Sequence, residues 1–173
     1  MSPRAARFAL AALLLSIYST LGVVRGLTNA LRDAGLLRLS VGVAFALAGL
    51  GVTVLVLRRP ELRRPRTIAL LGASAGLYAL VIWPMHSPEE KLHFIEYGAV
   101  AVLAWLSFPA LSGGRRFAAA AGFTLAAGWL DEGIQALLPS RYYDLRDVAF
   151  NASAGLMALT VFTLVRRLSH TET

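Results

Sequence analysis

Two short segments carry most of the side chains that could do acid, base or ion-pair chemistry. The first is Pro88-Glu89-Glu90-Lys91-Leu92-His93-Phe94-Ile95-Glu96-Tyr97. The second runs from Asp131-Glu132-Gly133-Ile134-Gln135 through Pro139-Ser140-Arg141-Tyr142-Tyr143-Asp144-Leu145-Arg146-Asp147 to Asn151. Imidazole titrates near neutral pH, so His93 could act as a general acid or base, alone or in a proton relay with Glu96. The competing reading is a histidine that merely packs between helices. Asp131 and Glu132 could divide acid and base roles, one held neutral while the other stays ionised. They could equally be structural partners of Arg141 and Arg146, an arrangement in which removing either charge is costly. The planar fork of Arg141 suits a phosphate or carboxylate. A metal held by His93, Glu96, Asp131 and Glu132 lacks any HExxH-type spacing, so neither a metal nor another cofactor is expected.

Helical spacing gathers these residues onto faces. His93, Glu96 and Tyr97 share one face, and so do Asp131 and Gln135. Asp144, Asp147 and Asn151 follow an i, i+3, i+7 pattern. Asp144 and Asp147 would also suit the first turn of a helix, where free amides and the positive dipole end favour carboxylates. That capping role cannot extend to Asp131 and Glu132, which precede the end of an apolar stretch. Adjacent helical residues point about 100° apart, so those two acids need not face the same site.

The elements that position these side chains are read from composition. The 173 residues are 57% hydrophobic and 16% charged, with a mean hydropathy of +0.62. A small soluble domain cannot bury that excess, and disorder is excluded. Six apolar stretches, at about 8–24, 39–57, 67–84, 92–111, 117–138 and 147–165, each approach the roughly 20 residues of a membrane-spanning helix. An all-α, polytopic helical bundle of about six spans is expected. The break Arg58-Arg59-Pro60-Glu61-Leu62-Arg63-Arg64-Pro65-Arg66 divides it into an N-terminal pair (1–62) and a four-span core (63–173). The run from Phe8 lacks a small-residue cleavage site and reads as a retained span.

The net charge of +7 would suggest nucleic acid in a soluble protein. Here the arginines cluster between apolar runs, so no nucleic-acid partner is expected. Six spans place eleven basic residues at one side of the membrane and six at the other. The positive-inside rule then puts both termini in the cytoplasm. Eight of the ten acids fall on the opposite, extracytoplasmic side. Acids contribute little to topology, so their clustering suggests a site there. With no cysteine, disulfides, thiolate metal sites and a cysteine nucleophile are excluded.

In this order the polar residues resemble the VanZ-like family. The resemblance rests on Lys91, His93, Phe94 and Tyr97, then Asp131, Glu132, Gln135, Pro139, Arg141, Asp144, Asp147, Asn151 and Gly155. It covers about 67–166, with Glu90 standing where the pattern has aspartate. It implies a multi-pass protein of the bacterial inner membrane, related to teicoplanin-type glycopeptide resistance, and supplies no defined reaction. The resulting expectation is an extracytoplasmic site that binds or modifies an anionic lipid-linked envelope precursor. His93, Glu96, Asp131 and Glu132 would be the catalytic candidates. Lys91, Tyr97, Gln135, Arg141, Asp144, Asp147 and Asn151 would bind the ligand. The alternatives are a non-catalytic scaffold whose polar residues form an interhelical network, with lipid or a protein as partner, and a proton-coupled transporter. Spans 1–3 carry only small hydroxyls such as Ser16, Thr20, Ser40, Thr53 and Ser74, which weakens transport.

Other motifs fail on context. Gly72-Ala73-Ser74-Ala75-Gly76 matches G-x-S-x-G, but a nucleophile elbow needs a strand–turn–helix, and this stretch is mid-helix. Close helix packing through Gly72 and Gly76 is expected instead. Glu89-Glu90 resembles the glutamate pair of intramembrane metallo-endopeptidases, yet Phe94 stands where those have arginine. Tyr78, Trp83, Trp105 and Trp129 read as interface anchors or packing residues.

Overall fold

In a computed structural model the described residues are 1–85, 87–139 and 143–170. They are all helical in their regular structure, with no strand among them. Six α-helices follow in order: α1 (Pro3–Asp33), α2 (Leu37–Arg58), α3 (Pro65–Ile82), α4 (Pro88–Ser107), α5 (Gly113–Ala136) and α6 (Leu145–His170). A 3₁₀ turn, Pro60–Leu62, links α2 to α3.

Local chemistry sets the boundaries. Pro3, Pro65 and Pro88 occupy first helical positions, where the missing N–H costs nothing. The helix α1 extends nine residues beyond the expected end, because nothing breaks it before Gly35. That glycine takes a left-handed conformation (φ +69°). Leu36 then donates to the Leu31 carbonyl at 2.7 Å and Gly35 to Arg32 at 2.9 Å, closing the helix. Asp144 caps α6: its carboxylate accepts the Arg146 backbone N–H at 2.8 Å. The helix α4 begins four residues before the expected span, so His93, Glu96 and Tyr97 sit in its second and third turns.

Among the described residues four segments are long and apolar enough to cross a membrane: Pro3–Val23, Leu37–Arg58, Pro65–Ile82 and Leu145–Ser169. The protein is therefore a multi-pass membrane protein. The α4 and α5 helices, 20 and 24 residues long, fall outside that set because they carry the charged residues.

The α4 helix is central and packs against α1, α2, α5 and α6, while α3 packs on α6. The core joins Phe94, Tyr97, Val100, Ala101 and Ala104 of α4 to Leu10 and Ile17 of α1, Ala120 and Ala127 of α5, and Ala154 and Leu159 of α6. The first helix thus shares one core with α4–α6.

The expectation for Gly72 and Gly76 is corrected. A Cβ added to either would meet nothing within 4 Å, so no helix among the described residues closes on them. Close approach occurs instead between α5 and α6. A Cβ on Gly128 would lie 2.9 Å from Asn151 Cβ, and one on Gly155 would lie 2.6 Å from Thr124 Cγ2. The reason is geometric: α3 meets its neighbour through other residues, whereas α5 and α6 run antiparallel with glycine facing a bulky partner at two successive levels.

Candidate functional site

Asp131 and Glu132 are both completely buried. Each faces a different neighbour, as their helical offset requires. Glu132 turns toward the start of α6. Its Oε1 accepts from Gln135 Nε2 at 2.9 Å, and its Oε2 accepts the Asp144 backbone N–H at 3.0 Å. The acid therefore fastens the last turn of α5 to the first of α6. Asp144 is engaged twice, through its amide by Glu132 and through its carboxylate as the cap of α6. Asp147 lies in the first turn of α6, where the dipole favours an anion.

Asp131 turns toward α4. Its Oδ2 accepts from the Tyr97 hydroxyl at 2.8 Å, a bond buried between two helices. Its Oδ1 is buried with no hydrogen-bond partner among the described residues. The same holds for both polar atoms of the fully buried Asn151 side chain on α6. Asn151 packs on Gly128, one turn from Asp131, so these atoms belong to one stretch of the α5–α6 seam. Buried polar atoms of this kind are rare, because each carries the cost of lost hydration.

A third set lines the route from Asp131 to the surface. The His93 ring lies over that of Tyr97, with centroids 5.9 Å apart and planes inclined by 30°. His93 Nδ1 is 4.0 Å from Glu96 Oε2 one turn away, the two side chains being 14% and 40% exposed. Glu96 and Asp131 are close enough to repel one another. Groups able to exchange protons thus extend from a half-exposed rim to a buried acid. Lys91 is half-buried in the first turns of α4. Arg141 lies outside the described residues. Arg146 borders a cleft of about 270 Å³ formed with Val81, Pro84, Met85, Glu90 and Phe150. Its guanidinium carbon stands 5.9 Å from the Phe150 ring centroid.

Tertiary packing thereby brings His93, Glu96, Tyr97 and Asp131 into one set, and Glu132, Gln135 and Asp144 into another. Among the described residues no three His, Asp or Glu side chains are grouped as a metal ion would need. Sequence reading missed Tyr18 of α1, whose hydroxyl donates to the Ala127 carbonyl at 2.9 Å, one turn from Asp131. A lone tyrosine in the middle of an apolar span is the signal that could have found it. Comparison with family models, curated proteins and solved structures returns no match to this chain.

Proposed function

We propose that this protein is a six-span protein of the bacterial inner membrane, with both termini cytoplasmic. Its extracytoplasmic site holds the polar head of an anionic lipid-linked envelope precursor, as the resemblance to the VanZ-like family suggests. The α4 and α5 helices complete the six spans, since 20 and 24 residues reach about 30 Å at 1.5 Å per residue. The charges of α4 gather in its first turns, and those at the end of α5 are turned inward, both tolerable in a spanning bundle.

The observation that carries the reading is the set of buried polar atoms left open beside a charged rim. Asp131 Oδ1 and the Asn151 amide are suited to the hydroxyl and amide groups of a bound head. Lys91, Arg141 and Arg146 would hold its phosphate, arginine by its bidentate fork. His93 and Glu96 would supply acid or base function at the rim, with Asp131 beneath them. Tyr97 would fix the orientation of Asp131. Glu132, Gln135, Asp144 and Asp147 would hold the ends of α5 and α6 in register.

A second reading, a non-catalytic interhelical network, draws on Glu132, both of whose oxygens are already engaged by the protein. Native mass spectrometry of the gently solubilised full chain separates the two readings. An isoprenoid phosphate would be offered to the wild type and to the Arg141→Ala and Asp131→Asn variants. Retention by the wild type and loss in both variants, at unchanged thermal stability, is the expected result. A bare wild type, with variants that are only less stable, would leave the network reading standing.

A further inference from the structure

The opposite end of the bundle carries a second constellation, built from arginines alone. Three helices bring guanidiniums to the last turn of α4. Arg116 of α5 donates from Nε to the Trp105 carbonyl at 2.7 Å, and its Cζ lies 3.5 Å from the Trp105 ring centroid. Arg166 of α6 lies over the same ring at 4.9 Å, and 5.8 Å from the Phe162 ring, which itself meets Trp105 edge-on at 5.3 Å. Arg7 of α1 donates from Nε to the Ser107 carbonyl at 3.2 Å.

Helix capping accounts for part of this. The last carbonyls of α4 lack helical partners, and arginines satisfy them favourably at the negative dipole end. Capping uses one nitrogen each of Arg7 and Arg116. It leaves their terminal nitrogens, and the whole of Arg166, without a hydrogen-bond acceptor among the described residues. Among the described residues no carboxylate is within ion-pair distance of any of the three. Of the two acids that the sequence places at this end, Glu61 is taken by Arg59 at 3.4 Å, and Glu172 lies outside the described residues. Arg116 and Arg166 are close enough to repel each other. Cation–π contact with Trp105 offsets some of that repulsion. Two cations gathered on one ring, with no anion between them among the described residues, leave a charge imbalance that a phosphate would remove. Tryptophan and arginine are also the residues that favour the headgroup level of a bilayer.

We propose that Arg7, Arg116 and Arg166, arranged around Trp105, bind the phosphate of an anionic phospholipid in the leaflet at the arginine-rich end. The site is independent of the acid-bearing end and of the reading given for it. Planar guanidiniums with free terminal nitrogens bind phosphate oxygens in pairs, and Trp105 holds two of them at fixed orientation.

The test is native mass spectrometry of the full chain in detergent. Phosphatidylglycerol and phosphatidylcholine of identical acyl chains would be supplied in equal amounts. The wild type should retain phosphatidylglycerol over phosphatidylcholine by about tenfold, the factor that a single charge-assisted bond can supply. The Arg116→Gln/Arg166→Gln double variant should lose that preference. Arg166→Gln alone should reduce it without changing the unfolding temperature, since Arg166 is exposed and caps nothing. Equal retention of both lipids by the wild type would overturn the proposal, as would a preference that survives in the double variant. Displacement of the lipid by millimolar inorganic phosphate would also overturn it, assigning the site to a free anion.

Discussion

The helices α2 and α5 follow opposite rules. The most apolar window of α2 has a mean hydropathy of 2.3 and is only 6% buried. Its Leu39, Leu47, Leu50 and Leu57 point away from the protein. The α5 helix is the more polar of the two, yet it buries Thr124, Gly128, Asp131, Glu132 and Gln135. In water this distribution would be inverted. In lipid, leucine gains nothing by facing another helix, so association depends on close packing of small residues and on polar groups that find partners. The contrast teaches that the seam of α4, α5 and α6, rather than the apolar surface, holds this fold.

Substitutions can break or sharpen that contrast. The largest effect is expected for Glu132→Leu, which strands the Gln135 side-chain N–H and the Asp144 amide in a buried site. It should cost about 2–5 kcal/mol, read as a lowered unfolding temperature in detergent. A cost no greater than that of Leu47→Ala on α2 would break the comparison. Gly155→Ala should come next, at about 1–3 kcal/mol, because its new methyl would collide with the branched side chain of Thr124.

Tyr97→Phe should cost about 1–2 kcal/mol by leaving Asp131 with neither oxygen bonded, and thermal unfolding beside Tyr78→Phe would isolate that bond. The smallest effect belongs to Gly72→Ala. Open space there predicts no loss, and the gain in helix propensity is at most about 1 kcal/mol. A large destabilisation by Gly72→Ala would instead show that α3 closes on another molecule.

Much of the fold was legible because lipid imposes simple rules. Six apolar stretches became six helices, and prolines marked three of their starts. The boundaries that moved did so for local reasons: α1 continues because no residue before Gly35 stops it, and α4 starts at a proline. The buried polar cluster was legible in its residue types and helical phases. Tyr97, Asp131, Glu132, Gln135 and Asn151 are all buried, and the Asp144 cap follows from an aspartate ahead of an apolar run. Less legible was which residues meet. Spacing alone could not tell that Glu132 reaches the amide of Asp144, that Asp131 reaches Tyr97, or that Tyr18 joins them from α1.

The chain by itself determined that this is a helical membrane protein, and that in an up-and-down bundle most of its arginines and most of its acids fall at opposite helix ends. Composition and period suffice for that, since backbone hydrogen bonds in lipid must close within each helix. Only tertiary structure decided which glycines are contact points and which carboxylate oxygens stay open. Gly72 and Gly76 match the packing motif yet meet nothing, whereas Gly128 and Gly155 carry the seam. Such choices depend on which helix face meets which neighbour, and that is fixed by the simultaneous packing of several helices rather than by any one of them.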